Sequence, residues 1–297
     1  RAHGASVRLV MRGAGRRAGS PAAGTAGPAI VLTPSAGTGL LGADDFRGGD
    51  VHLFLRALAG LALIGPVPAG AVIGGAAVPA SDPVAPQTVM VTGGQGFCTG
   101  AVLGERLVLT AAHCVEGAGR LAVLVFGPGR QPVINEVAER RVHPAYRRAD
   151  WQARRTAVDL AIVRTAQPIG HGARAATLAA GAVPAAGASI RLVGYGPAAE
   201  GDARSAGVLR SAALTVTGRP STYQVRLTGP SGAVLGACTG DSGGPVFASQ
   251  TGRPVVAGIV SWTTGPGSAR CGSLTGTVPV SPHRRWIDET VRALGGP

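Results

Sequence analysis

The sequence has 297 residues, of which 45% are hydrophobic, so it can bury a sizeable core and is not an intrinsically disordered chain throughout. Its 28 basic residues are all arginine and outnumber the 15 acidic residues, which gives a formal net charge of +13. These arginines are scattered and only 4% of the residues are aromatic, so we predict a solvated basic surface and no nucleic-acid partner. No apolar run reaches the roughly 18 residues of a membrane-spanning helix.

The first 71 residues differ in composition from the rest of the chain. Residues 1–50 are rich in Gly, Ala, Pro, Ser and Arg without helical or strand periodicity, and we predict that they are disordered or a spurious upstream extension. Residues 51–71 combine a short basic start, an apolar run and a small-residue end, the pattern of a secretory signal peptide starting near Val51. The alternative is a buried helix or strand, which Pro66 and Pro68 disfavour because they would end a helix.

From residue 72 onwards the chain consists of short apolar runs separated by Gly and Pro. These runs are five to eight residues long in the main and rich in Val, Leu and Ile, which favours β-strands. The predicted strands are Gln87–Val91, Leu107–Thr110, Leu121–Phe126, Asp159–Arg164, Ser189–Val193, Tyr223–Leu227 and Val255–Trp262. Only Ser281–Leu294 has apolar residues at helical spacing. The pattern predicts an all-β fold with one C-terminal helix.

Four cysteines follow the predicted signal, at positions 98, 114, 238 and 271. An even number in an exported chain indicates two disulfides, with three pairings possible from the sequence. No Cys-x-x-Cys pair is present, so we predict neither a zinc ribbon nor a thioredoxin-type site, and no metal or cofactor.

Three motifs supply residues that can act together in catalysis. They are Gly240–Pro245, which contains Ser242; Thr110–Cys114, which contains His113; and Asp159–Val163. A serine hydroxyl needs an imidazole to take its proton, and the imidazole needs a carboxylate to hold its orientation. Alone, His113 would more often be structural and Asp159 could be a solvated residue at the start of a strand, but the three motifs together favour a catalytic triad.

With these motifs, residues 72 to about 294 resemble the chymotrypsin/trypsin family of serine proteases. The resemblance implies one protease domain, 72–297, with two six-stranded antiparallel β-barrels at about 72–175 and 188–280 and a helix at about 281–294. Further matches are Val142-His143-Pro144, Gly194-Tyr195-Gly196 and Ser261-Trp262. The active site is expected in the cleft between the barrels.

The resemblance assigns a role to each residue of the motifs. Ser242 is expected to be the nucleophile, His113 the general base and acid, and Asp159 the orienting carboxylate. The backbone N–H groups of Gly240 and Ser242 would form the oxyanion hole. The family also implies the disulfide pairs Cys98–Cys114 and Cys238–Cys271.

Val72-Ile73-Gly74-Gly75 resembles the mature N-terminus of the family. There the freed α-amino group, here that of Val72, pairs with the carboxylate beside the nucleophile, here Asp241. No basic residue precedes Val72, so we expect signal peptidase to cut after Ala71 and produce the active N-terminus directly. The alternative is a cut further upstream, with a short propeptide that another protease removes.

The resemblance also places a specificity pocket, which we expect to be neutral. Gly236 stands where trypsin-like members carry a carboxylate for substrate Arg or Lys, and an unpaired buried cation is strongly disfavoured. Thr263 is expected to narrow the pocket, which favours small or medium apolar residues such as Ala, Val or Leu. A minor alternative is an acidic preference set by Arg270. The predicted pocket residues are Gly236, Ala237, Thr239, Ser261, Trp262, Thr263 and Gly276.

The sequence therefore predicts a secreted, bacterial serine endopeptidase that acts as a monomer on proteins or peptides. One alternative is a catalytically weak family member that serves as a binding protein. Another is a basic polyanion-binding protein, which would need a charge stripe that the sequence does not contain.

Overall fold

The computed structural model describes residues 72–93, 96–126, 131–153, 157–221 and 223–296. The predicted upstream extension (1–50) and the predicted signal peptide (51–71) lie outside the described residues. Within these ranges the chain forms thirteen β-strands and three short α-helices. The helices are α1 (Ala112–Val115), α2 (Arg148–Gln152) and α3 (Arg284–Ala293), and none of them is long and apolar enough to cross a bilayer.

The first barrel is closed and has six antiparallel strands. They are β2 (Thr88–Gly93), β3 (Gly96–Val102), β4 (Leu107–Thr110), β5 (Leu121–Phe126), β6 (Pro132–Val142) and β7 (Ala161–Thr165), in the order β2-β3-β4-β7-β6-β5. Alternate residues of each strand point inwards, and the interior is filled mainly by small β-branched side chains such as Val91, Val108 and Val123.

The second barrel follows a connection, residues 166–188, that contains neither a helix nor a named strand. Its strands are β8 (Ser189–Gly194), β9 (Arg210–Ser221), β10 (Gln224–Thr228), β11 (Pro245–Gln250), β12 (Arg253–Thr263) and β13 (Leu274–Pro279). They run in the order β9-β10-β13-β12-β11-β8, and pairing of β8 with β9 closes the barrel. The two-residue strand β1 (Ala76–Ala77) adds to β9. The expected fold, two six-stranded antiparallel barrels with a C-terminal helix, is confirmed.

Strand β4 is buried on both faces and joins the two halves of the fold. Val108 points into the first barrel, whereas Leu107 and Leu109 belong to the cluster that contains the core of the second barrel. The C-terminal helix contributes Ile287 to this shared cluster, and Leu294 follows it. Because both faces of β4 are covered, its sequence is a continuous apolar run without alternation.

An aromatic contact ties the segment after β6 to the start of α3. The His143 ring lies 4.9 Å from that of His283 and 4.6 Å from that of Trp286, measured between centroids. Burial lowers the pKa of both histidines, and burial together with the neighbouring His283 lowers that of His143 to about 4. His143 Nδ1 already accepts a hydrogen bond from the Ala145 N–H at 3.1 Å.

This contact predicts a loss of stability in mild acid. Both histidine pKa values are lower in the folded than in the unfolded protein, so the stabilisation is fully present above about pH 6.5 and lost as the pH falls towards 4. Because His143 is only half-buried, we expect a loss of about 1 to 2 kcal/mol. Urea unfolding of the protein and of His143→Phe between pH 7 and 4 measures it. Parallel pH dependences in the two proteins would contradict the prediction.

Candidate active site

Strand register brings His113 and Asp159 together. Strand β4 pairs with β7, with Thr110 opposite Ala161, so the residues just after β4 and just before β7 lie side by side. His113 is in helix α1, three residues after β4, and Asp159 is two residues before β7. The two side chains meet in a hydrogen bond of 2.7 Å between His113 Nδ1 and Asp159 Oδ2.

Asp159 is fully buried, and three donors surround its carboxylate. Oδ1 accepts from the backbone N–H of His113 at 2.9 Å. Oδ2 accepts from His113 Nδ1 and from the Ser261 hydroxyl, the latter at 2.6 Å. A buried carboxylate with this many donors is fixed in place and imposes a proton on His113 Nδ1, which leaves Nε2 as the proton acceptor.

Ser242 lies in the turn that precedes β11, held against both barrels. Its carbonyl accepts from the Thr99 N–H of β3 at 2.8 Å, and the next residue, Gly243, donates to the Val260 carbonyl of β12 at 2.7 Å. Gly243 has φ of +79°, and a Cβ there would collide with Thr110 at the end of β4. The serine turn therefore packs directly on the strand that leads to His113.

Among the described residues, no hydrogen bond joins Ser242 Oγ to His113 Nε2. The Nε2 atom lies 3.7 Å from Cys114 Sγ. Catalytic hydrogen bonds are often longer in free enzymes than in their complexes.

The predicted oxyanion hole lies in the same turn. Gly240 has φ of +101°, a conformation that favours glycine, and a Cβ there would come within 2.6 Å of the Phe97 ring. Its carbonyl accepts from Thr99 Oγ1 at 2.8 Å. Among the described residues, the carbonyls of Gly240 and Ser242 both accept hydrogen bonds. Neither of their backbone N–H groups donates to a protein acceptor there.

Asp241 is a second fully buried carboxylate. It accepts from the Gly196 N–H at 2.8 Å and from the Cys238 N–H at 2.9 Å. Burial raises the pKa of its carboxyl to about 7, while these two bonds and the positive charge of Arg210 act to lower it. Gly194 and Gly196 leave the space that the carboxylate occupies.

Val72 is completely buried. The next residue, Ile73, pairs antiparallel with Gly236, five residues before Asp241, and the Gly236 N–H donates to the Ile73 carbonyl at 3.2 Å. Val72 has φ of +52°, which a β-branched residue rarely adopts and which carries strain of about 1 to 3 kcal/mol.

Two threonines close the floor of the predicted specificity pocket. Thr263 on β12 and Thr275 on β13 are opposite each other in the sheet. Thr263 Oγ1 donates to the Ala237 carbonyl at 2.9 Å, and Thr275 Oγ1 accepts from the Ala237 N–H at 3.0 Å. A Cβ on Gly236 would lie 3.1 Å from Thr275 Oγ1, so the floor has little free depth.

The structure places Gly276 away from this floor. Its Cα lies beneath the Trp262 indole, where a Cβ would overlap the ring. Successive residues of a strand point to opposite faces, and Thr275 rather than Gly276 is the one that bonds to Ala237. Thr239 is exposed at the rim, and Arg270 is exposed and donates its backbone N–H to Glu200 Oε2 at 2.8 Å.

Sequence reasoning missed Trp151, which also belongs to the site. Its indole is stacked on the His113 imidazole, with centroids 4.3 Å apart and an interplanar angle of 15°. Its Nε1 donates to the Ser261 carbonyl at 3.4 Å. A single tryptophan in an arginine-rich segment carries no sequence signal for this position.

The four cysteines form the two pairs that the resemblance implied. Cys98–Cys114 ties β3 to helix α1 beside His113, and Cys238–Cys271 ties the serine turn to the pocket wall. Cys98, His113 and Cys114 lie close enough to suggest a metal site, but both sulfurs are in the disulfide and are not thiolate ligands.

We compared the chain with a family profile and with known proteins. A family profile for trypsin matches residues 72–287. Human "Serine protease 56" is 29% identical over 246 residues, 75% of this chain and 39% of the human protein. "Trypsin alpha" of Drosophila melanogaster is 25% identical over 240 residues, 76% of this chain and 89% of the fly protein. "Snake venom serine proteinase 14" of Crotalus adamanteus is 27% identical over 177 residues, 56% of this chain and 66% of the snake protein.

The chain thus spans about two fifths of the human relative. All three relatives are animal proteins and give the expected bacterial source no support. The profile covers most of the chain, from the buried segment at Val72 to helix α3, and the chain therefore belongs to the trypsin family of serine proteases.

Proposed function

We propose that the chain is a secreted serine endopeptidase that cleaves proteins or peptides after small apolar residues. The observation that carries this proposal is the His113–Asp159 pair, buried, fixed by three donors and adjacent to the Ser242 turn. The family membership supports a protease role, and no cofactor is needed for this chemistry.

The reaction proceeds through an acyl-enzyme. Ser242 Oγ attacks the substrate carbonyl while His113 Nε2 takes its proton, and Asp159 stabilises the imidazolium that forms. The N–H groups of Gly240 and Ser242 donate to the oxyanion of the tetrahedral intermediate. His113 then returns the proton to the leaving amine, and a water molecule hydrolyses the ester by the same steps in reverse.

The buried N-terminal segment supports a mature chain that begins at Val72. Cleavage of the Ala71–Val72 bond removes the strain at Val72, because φ is defined by the preceding carbonyl carbon. It also creates an ammonium group one residue from Ile73, which pairs with Gly236 five residues before Asp241, and burial destabilises the charged form of the Asp241 carboxylate. We propose that residues 51–71 direct export and that signal peptidase makes this cut.

A spurious upstream extension would not be translated. Detection of any peptide from residues 1–46 in cells or medium would therefore contradict that prediction.

Intact mass of the secreted protein before and after a fluorophosphonate label tests the function. We expect a species that starts at Val72 and gains one label, with no label on Ser242→Ala. An inactive species that starts upstream of Val72 would indicate a propeptide. A correctly processed species without label would favour the binding-protein alternative.

The pocket floor predicts how substrate preference can be changed. Thr263 crosses the pocket to the Ala237 carbonyl, so Thr263→Gly should open space for a larger side chain. We expect the ratio of kcat/KM for Leu over Ala substrates to rise by about 10- to 100-fold. Thr263→Ser keeps the hydroxyl and is expected to stay near the original ratio. Faster cleavage after Arg or Lys than after Ala in the unmodified enzyme would contradict a neutral pocket.

A further inference from the structure

Arg210, the first residue of β9, is a buried cation. It is only 8% exposed and is the one buried arginine among the described residues. Its guanidinium donates to the Ser205 carbonyl at 2.8 Å and to the Val208 carbonyl at 3.4 Å. These neutral carbonyls satisfy hydrogen bonds but do not balance the charge, and a buried charge is costly without a charged partner. The arrangement therefore calls for an anion nearby.

Strand register directs Arg210 towards Asp241. Arg210 is opposite Gly194 in the antiparallel pair of β9 with β8, and opposed residues point to the same face of a sheet, with Cβ atoms about 5 Å apart. A Cβ on Gly194 would overlap Asp241 Oδ1, so this face is the one that holds the carboxylate. Burial raises the pKa of Asp241 to about 7, and Arg210 is the charged side chain that acts to lower it.

Few other titratable groups surround Asp241 in the part of the chain that the structure describes. The Tyr195 phenol donates to the Thr88 carbonyl at 3.2 Å, and Cys238 is in a disulfide. The charged residues of the loop before β9 are exposed: Glu200, Asp202 and Arg204. In a chain that begins at Val72, the α-amino group would be a second cation for the same carboxylate.

The charge state of Asp241 affects the shape of the serine turn. Oδ1 accepts from the Gly196 N–H and Oδ2 from the Cys238 N–H, so both oxygens face donors. A carboxylate accepts at both oxygens, whereas a protonated carboxyl carries a hydrogen on one of them. Asp241 lies between Gly240 and Ser242, whose N–H groups are the proposed oxyanion donors. A cation that keeps Asp241 ionised and in place therefore also keeps those two N–H groups aligned.

We propose that Arg210 is a positioning residue, a built-in second cation that holds the Asp241 carboxylate in place when the α-amino group is uncharged. This inference rests on the proposed peptidase function with an N-terminus at Val72. An α-amino group has an ordinary pKa of about 8, which a neighbouring carboxylate raises, so its charge is lost as the pH approaches 10. A guanidinium keeps its charge throughout this range. The oxyanion donors should therefore stay aligned in alkali that discharges the amine.

The kinetic test compares fluorophosphonate labelling of the mature enzyme at pH 8 and pH 10. We expect the rate of the unmodified enzyme to fall by less than about threefold, and that of Arg210→Gln by at least about tenfold, the equivalent of one pKa unit. Arg210→Lys restores a cation and should follow the unmodified enzyme at least to pH 9. Arg191→Gln is the matched control, because it makes the same change on β8 in a partly exposed pair with Asp82. It should keep the pH profile of the unmodified enzyme.

Two kinetic outcomes would overturn the proposal. A tenfold fall between pH 8 and pH 10 in the unmodified enzyme would do so whether or not Arg210→Gln folds, because no second cation would then be acting. An equal loss at both pH values in Arg210→Gln would show that Arg210 only anchors the loop that carries Ser205.

Urea unfolding of Ser242→Ala, with and without Arg210→Gln, tests the pair without catalysis. Once the amine is neutral, Arg210 is the remaining cation for Asp241. The urea midpoint should therefore fall between pH 8 and pH 10 by about 0.5 M more in the variant that lacks Arg210. Equal falls would overturn the pairing. The larger fall in a protein whose Ser242 form takes up no label would support the pairing and contradict the peptidase proposal, so the two failures are distinguishable.

Discussion

Asp159→Asn is expected to lower kcat for a peptide amide by about 10⁴-fold while the protein stays folded. Both carboxylate oxygens of Asp159 accept hydrogen bonds, Oδ1 from the His113 backbone and Oδ2 from the His113 ring and Ser261. Asparagine has one acceptor oxygen, so its NH₂ group must face a former donor.

The orientation that the asparagine amide adopts decides the effect on kcat. The backbone N–H of His113 always donates, whereas the imidazole can move its proton and the Ser261 hydroxyl can rotate. The amide oxygen should therefore face the backbone and the NH₂ group should face Nδ1. The proton of His113 then moves to Nε2, which can no longer accept the proton of Ser242.

Steady-state kinetics with circular dichroism measures this effect. Asp288→Asn is the matched control, because it makes the same change on helix α3 in an exposed pair with Arg284. We expect that variant to keep full activity. A kcat within tenfold of the unmodified enzyme for Asp159→Asn would show that the observed carboxylate geometry is not what orients the imidazole.

Gly196→Ala should lower kcat by about 10²- to 10³-fold, the usual cost of losing one oxyanion donor. A Cβ at this position would lie 2.5 Å from Asp241 Oδ2 and 2.6 Å from its carboxyl carbon. The carboxylate cannot retreat without breaking its bonds to the Gly196 and Cys238 N–H groups. Asp241 lies between Gly240 and Ser242, so a shift of its backbone misaligns both proposed oxyanion donors.

The same variant should be less stable by about 1 to 3 kcal/mol, as for other overpacked sites. Gly218→Ala is the control, because Gly218 lies in β9 with ordinary φ and no atom near its missing Cβ. Fluorophosphonate labelling rates and urea unfolding of the two variants provide the comparison. Unchanged labelling of Gly196→Ala would mean that Asp241 does not hold the oxyanion loop.

How well each strand could be predicted follows from its burial. The predicted β4 and β5 end at the observed residues, because the sequence is apolar throughout each strand. Strand β6 was missed, since most of its residues are exposed and its charged residues interrupt the apolar pattern. Strand β11 begins at a proline, and β13 contains a glycine and ends at a proline, residues that mark turns more often than strands in a sequence.

In the site too, some residues could be predicted from the sequence and others could not. The serine, histidine and aspartate motifs are local in sequence, and the structure brings the last two into contact where their strands pair. The pocket wall depends on register, and an irregularity between Val260 and Trp262 shifts the pairing of β12 with β13. No sequence pattern marks that irregularity, so Thr275 could not be distinguished from Gly276. Trp151 is brought to His113 by tertiary packing alone.

The burial of Val72 has a chemical consequence because residues 72–297 contain no lysine. In a chain that begins at Val72, the α-amino group is the one primary amine. Amine-directed acylation therefore has a single target, on a residue that is completely buried in the folded protein. Acylation of the unfolded chain should prevent recovery of activity, whereas the folded enzyme should resist the same reagent. The extent of acylation therefore measures the fraction of molecules whose N-terminus is not buried.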